Sequence, residues 1–338
     1  ILVCTVILII IMAFSFAPPA TKKMAFIIPD GWPRPVYQMT KIPLTEEGFQ
    51  LGRRLFYDPI LSRDSTISCS GCHLQATGFT HIDHALSHGI DGRFGTRNTP
   101  ALMNLAWRSS YMWDGGVNHL EVQPISPITN PLEMDEQLDH VVAKMNASTY
   151  YKNRFQIVFG DPVVTGQRLL LALTEFVMQL NSYNSRYDRY MRKEAGGELN
   201  AQELNGLQLF RAHCNTCHTE PLFTNEQFEN TGLQADLRLN DSGRMRITRK
   251  SEDSLKFKVP TLRNIQYTQP YMHDGRFKTL YEVINHYTEG IHQSKTLSEK
   301  LKKPIQLSAN EKVDLVAFLF TLTDKEFLYD PRFMYPRE

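Results

Sequence analysis

Apolar residues fall at helical spacing in several stretches of this chain, and the clearest of them carry their own start signals. Leu204, Leu207 and Phe210 follow Asn200-Ala201-Gln202-Glu203, a capping residue with an acid three positions on. Leu315, Phe318, Leu319 and Leu322 follow Ser308-Ala309-Asn310-Glu311, the pattern of a capping box. A third helix is predicted over 165–181, where Leu173, Phe176 and Leu180 share one face. Loops rich in Gly, Pro and Asn lie between, such as 89–100 and 225–243. At the start, residues 1–14 are almost wholly apolar, followed by Ala17-Pro18-Pro19-Ala20 and Lys22-Lys23. That run is short for a membrane span and suits the core of a secretory signal. Residues 1–20 are therefore read as a signal peptide, or as an anchor if left uncleaved, with the body of the protein outside the cytoplasm.

The apolar pattern also repeats. Gly52-Arg53-Arg54-Leu55-Phe56 matches Gly206-Leu207-Gln208-Leu209-Phe210, and Tyr111-Met112-Trp113-Asp114-Gly115 matches Tyr271-Met272-His273-Asp274-Gly275. Six residues past each Asp comes a leucine, Leu120 and Leu280, and Leu173, Phe176 and Leu180 have the spacing of Leu315, Phe318 and Leu322. Landmarks repeated in one order predict an all-α chain built from two copies of one domain, with long loops. The predicted domains are 21–195 and 196–338, with the boundary in the polar stretch 192–200.

A length of 338 residues suits two such domains, and 42% hydrophobic with 22% charged residues is ordinary for a globular protein. With a net charge of +1 and no basic stripe, nucleic acid is excluded as an expected partner. Cysteine changes the picture more. Cys4 lies in the leader, and the other four form Cys69-Ser70-Gly71-Cys72-His73 and Cys214-Asn215-Thr216-Cys217-His218. C-x-x-C-H is the pattern of covalent c-type haem attachment: two thiols on one helical turn meet the two vinyl groups, and the histidine turns to the iron. A thioredoxin-like pair would need a strand before it, and a zinc site would not give each distant pair its own histidine. Two haem c groups are expected, on cytochrome c-like domains whose cores the haems complete.

A haem carries electrons if its sixth position is filled and activates small molecules if it is open. The motifs Arg97-Asn98-Thr99-Pro100, 111–115, 127–134, 258–264 and 270–275 extend the pattern, and with them the chain from about 51 to 324 resembles the bacterial di-haem cytochrome c peroxidase and MauG superfamily. The resemblance implies that the N-terminal haem meets hydrogen peroxide and the C-terminal haem takes in or stores electrons. It makes Glu133 the distal acid/base, with Gln123 lining the same pocket, and Trp113 the relay between the haems. A carboxylate there can take a proton from one peroxide oxygen and return it to the other. It also implies a calcium ion on Asn98 and the carbonyls of Thr268 and Pro270, and a hydrogen bond from His273 supporting the second haem.

Where peroxidases of this superfamily carry a methionine ligand to the second iron, this chain has Tyr287, as MauG-type enzymes do. A phenolate favours ferric and higher states; the alternatives are that Tyr287 packs and His286, Met272 or His292 binds, or nothing does. For a histidine that gates the first iron, the loop offers His81, His84 and His88, of which His88 matches best in position. The expected function is a periplasmic di-haem peroxidase reducing hydrogen peroxide to water with electrons from a small cytochrome c or cupredoxin. A MauG-like oxidase, using peroxide-derived high-valent iron to oxidise a partner protein, is the nearer alternative, and a non-catalytic electron carrier the farther one. A homodimer is one assembly open to it.

Overall fold

The computed structural model describes residues 21–37 and 44–337; the leader over 1–20 lies outside them. Two pairs of long helices organise the chain. Glu46–Tyr57 packs on Gly166–Met178, and Ala201–His213 packs on Ala309–Phe320. Each starts where its cap places it. Thr45 and Thr165 accept from the first-turn amides of Gly48 and Arg168, and Asn200 with Glu203 and Ser308 with Glu311 close full capping boxes. The helix expected over 165–181 ends at Met178, because the chain turns into the loop that Leu180 helps to anchor.

Both pairs cross at a glycine. A Cβ on Gly52 would lie 1.9 Å from the Ala172 carbonyl oxygen, and one on Gly206 would lie 2.0 Å from that of Asp314. Only a residue without a side chain lets the backbones approach so closely. The loops carry further matching contacts. Asn104 and Asn264 both adopt positive φ, at 55° and 57°, and donate through their amides to the Leu180 and Leu322 carbonyls. The hydroxyls of Tyr111 and Tyr271 donate to the carbonyls of Leu105 and Ile265.

Two apolar clusters result, one around Phe49, Phe56, Phe79 and Phe176, the other around Phe210, Phe223, Leu315 and Phe318. Their packing does not follow chain order at its edges. Tyr187 joins the second cluster, while Phe327, Leu328 and Phe333 return to the first. There the Arg53 side chain donates to the Arg332 carbonyl and the Tyr57 hydroxyl to that of Phe333, both at 2.7 Å. Among the described residues, the regular structure is helical apart from isolated bridges and one two-stranded antiparallel pair, Phe228–Glu229 with Phe257–Lys258. Among the described residues, no helix is long and apolar enough to cross a membrane.

Candidate haem sites and the wall between them

The four cysteines of the two motifs stand as the spacing predicts. Cys69–Cys72 is a single helical turn, and the Cys214–Cys217 turn follows directly from the end of Ala201–His213. No disulfide joins either pair. Burial pushes the Cys69 and Cys214 thiols up to about 12, the opposite of what a thioredoxin-like redox pair needs. The adjacent histidines are half-buried and oriented. His73 directs Nδ1 at the Phe79 carbonyl, 2.7 Å away, and His218 directs Nδ1 at those of Pro260 (3.1 Å) and Phe223 (3.3 Å). Donation from Nδ1 leaves the Nε2 lone pair free for a metal. Burial pushes both imidazoles down to about 4, so each is neutral.

Cys214, Cys217 and His218 open onto a cavity of about 2170 Å³, part of it open to solvent. Its walls are apolar, with Leu262, Ile265, Ile284, Leu315 and Leu319, and Tyr287 and Met272 also line it. His286, adjacent to Tyr287, spends its Nε2 on the Thr231 carbonyl at 2.9 Å. The Tyr287 hydroxyl has no hydrogen-bond partner among the described residues, and burial raises its pKa. Thiols, a neutral imidazole, apolar walls and an unpartnered phenol in one cavity fit a covalently held haem.

At the first site, burial and then the nearby Glu133 raise the pKa of the Cys72 thiol, and burial raises that of Glu133 itself. The Ile90 amide donates to the Glu133 carbonyl at 2.7 Å, and Gly89 has no room for a Cβ against it. Gln123 instead lines the large cavity, its amide 3.6 Å from the Met112 sulfur.

Trp113 stands on that cavity too, fixed on both sides. Its indole donates to the Asn98 carbonyl at 2.8 Å, and its own carbonyl accepts from the Lys258 amide at 2.8 Å. Asn98 in turn donates through its amide to the His273 carbonyl at 2.7 Å. The His273 ring stacks on Phe257, 3.6 Å away at 14°. Asn98, Thr268 and Pro270 all line the cavity, and neither the Thr268 nor the Pro270 carbonyl accepts a hydrogen bond among the described residues. Oxygen atoms left free in this way suit a calcium ion.

A family model described as di-haem cytochrome c peroxidase matches residues 46–196. The methylamine utilization protein MauG of Methylorubrum extorquens is 36% identical over 309 residues, which cover 90% of this chain and 84% of its own. The chain belongs to the di-haem cytochrome c peroxidase family. The cytochrome c551 peroxidase of Nitrosomonas europaea, 34% identical over 81% of this chain and 79% of its own, is another relative. The crystal structure of a MauG-like protein associated with microbial copper homeostasis superposes with a TM-score of 0.85 at 34% identity, covering 93% of this chain and 99% of that one. The chain is thus a peroxidase-type oxidoreductase whose cofactors are two haem groups.

Within this di-haem peroxidase, the three loop histidines offered as alternatives come together: the His81, His84 and His88 rings lie 4.9–5.2 Å apart. His292 is not among the cavity residues. The orienting carbonyls of Phe79, Phe223 and Pro260 were missed. A signal for two of them existed, because Gly78-Phe79-Thr80 and Leu222-Phe223-Thr224 are one more repeated segment.

Proposed function

We propose that this chain is a periplasmic di-haem peroxidase made of two cytochrome c-like domains, 21–195 and 196–338, related by internal duplication. Cys69, Cys72 and His73 hold one covalent haem c, and Cys214, Cys217 and His218 hold the other. The observation that carries the reading is the asymmetry of the two sites: Cys72 donates to the His88 carbonyl, and the next residue, Gly89, packs on the Glu133 backbone, which puts a half-buried carboxyl beside the first motif, whereas a phenol, Tyr287, lines the cavity of the second. When bound, the haems supply the irons that pass two electrons to hydrogen peroxide, giving two waters with the uptake of two protons. Glu133, whose pKa is raised by burial, takes the proton from one oxygen and returns it to the departing one. Gln123 lines the approach, and Trp113, pinned between Asn98 and Lys258, joins the two sites. His273, stacked on Phe257 at the cavity wall, would support the second haem through a hydrogen bond, and Asn98, Thr268 and Pro270 would hold a calcium ion that braces the wall. A small cytochrome c or cupredoxin supplies the electrons, and the chain can act as a homodimer.

A second reading, a MauG-like oxidase acting on a partner protein, is favoured by one observation. Tyr287 faces the second haem cavity, while His286 is engaged elsewhere. EPR of the resting ferric protein, with optical spectra during stoichiometric peroxide addition, separates the readings in wild type and Tyr287→Phe. A His–Tyr low-spin signal and a long-lived oxidised spectrum, both lost in Tyr287→Phe, support the oxidase. An unchanged second haem, with turnover only after one-electron reduction, supports the peroxidase. A reduced protein that does not consume peroxide defeats both in favour of an electron carrier.

A further inference from the structure

Three imidazoles converge in the loop that follows the first attachment motif. The possible ligand atoms of His81, His84 and His88 all lie within 4.8 Å of one another. No protein group hydrogen-bonds to any of the three rings among the described residues. His81 is only 8% exposed, and its Nδ1 is buried without a partner. An orphaned buried nitrogen destabilises the fold, a cost that a ligand would remove. The other buried histidine, His286, spends a ring nitrogen on a backbone carbonyl, as the half-buried His73 and His218 do.

The loop is held in place from outside the cluster. The Asn98 side chain donates to the Ala85 carbonyl at 3.0 Å, and that carbonyl packs where a Cβ on Gly275 would come within 2.1 Å. Ser87 donates to the Arg97 carbonyl at 2.9 Å, and His88 bridges to Phe94. With the backbone anchored between and beside the histidines, small side-chain rotations suffice to close the rings on one ion. Bonds of about 2.0–2.1 Å in a tetrahedral site require nitrogens about 3.3 Å apart.

We propose that His81, His84 and His88 bind a late first-row divalent metal ion, for which zinc is the natural probe. Three imidazoles with an open fourth position for water are a zinc-type donor set, and imidazole suits the neighbouring metals too. The site is independent of the peroxidase reading. It has one consequence for it: while the metal is bound, none of the three imidazoles is available to the iron held by His73.

Equilibrium dialysis of the haem-loaded full chain tests this. The protein is stripped with EDTA, returned to calcium and dialysed against graded zinc chloride, and zinc per chain is counted by mass spectrometry. Wild type is compared with His84→Ala and with the double variant His81→Ala/His84→Ala. His84 is exposed, so its variant should keep its Soret spectrum and serves if the buried position proves intolerant. Wild type should take up one zinc per chain that the variants do not, with affinity lost by about 100-fold or more, at least as large as losing an outer-shell partner. Equal uptake by all three proteins overturns the proposal. So does a bis-histidine low-spin signal from the first haem that zinc leaves unchanged, since one imidazole would then belong to that iron.

Discussion

Phe56, which meets His73, packs on Phe79 and Phe176, and in the second half Phe210, Phe223 and Phe318 pack on one another in the same way. The Phe56–Phe176 and Phe210–Phe318 centroids are both 5.1 Å apart, and each histidine meets the carbonyl of its loop phenylalanine. The opposite walls share almost nothing. From Leu280 a regular helix, Leu280–Glu289, starts in a capping box of Thr279 and Glu282 and brings Ile284 and Tyr287 round to one face. From Leu120 the chain makes a single turn and then meets Pro124, after which the next helix runs only over Ile125–Thr129, ended before Pro131, and the chain is released toward Glu133. The side that orients a cofactor is thus the same in both halves. The side that decides its chemistry differs, and two prolines and one cap make the difference.

If that division is right, proton handling belongs to the first half alone. Glu133→Gln should lower kcat for peroxide by about 10²–10⁴-fold while haem content and the Soret band stay as in wild type. Stopped-flow peroxide reduction measures it, and a loss under about tenfold would remove Glu133 from the mechanism. The shared scaffold makes the opposite kind of prediction. Gly52→Ala and Gly206→Ala each put a Cβ within 2.0 Å of a facing carbonyl oxygen. Each should therefore cost roughly 1–3 kcal/mol in guanidinium unfolding, by similar amounts. If one is tolerated and the other is not, the two crossings are not equivalent.

These contrasts were legible in the sequence to different depths. The capped helices, the paired glycines and both attachment motifs are local patterns, and each stands where the residues predicted. The orienting carbonyls were not legible as such, because a side-chain sequence does not show which way a backbone oxygen points. Phe79 and Phe223 aim theirs from positive φ, at 60° and 54°. Which of His286 and Tyr287 lines the cavity depends on the helix phase: adjacent residues diverge by about 100° on a helix, and the Leu280–Ile284–Tyr287 face turns to the cavity. The return of Phe327 and Phe333 to the first cluster left no mark in periodicity, since long-range packing decides it. The convergence of His81, His84 and His88 depends on anchors at Ala85, Ser87 and His88 that involve residues well outside the cluster.

The helix starts give the subtlest contrast. Ala201–His213 is capped from within by Asn200 and Glu203. Glu46–Tyr57 borrows a carboxyl from the helix packed on it: Glu175 accepts from the Thr45 amide at 3.0 Å and hydroxyl at 3.3 Å. Gly48 makes room, because a Cβ there would come within 2.2 Å of that carboxyl. The matching position in the second half, before Phe318, is Ala317. Glu175 is fully buried, its Oε1 has no partner, and burial raises its pKa from 4.5 to about 7. A raised folded-state pKa means that the neutral acid is the form the fold favours. Its contribution is complete below pH 4.5 and is lost as pH rises through about 7. Glu175→Gln keeps an oxygen for Thr45 and cannot ionise, so it should match wild type near pH 4.5 and exceed it above pH 8 by on the order of 2 kcal/mol. Denaturation midpoints at the two pH values measure the difference. If the variant is no more stable than wild type above pH 8, the borrowed carboxylate is fully compensated by the N-terminus of Glu46–Tyr57, and the two helix starts are equally insensitive to pH.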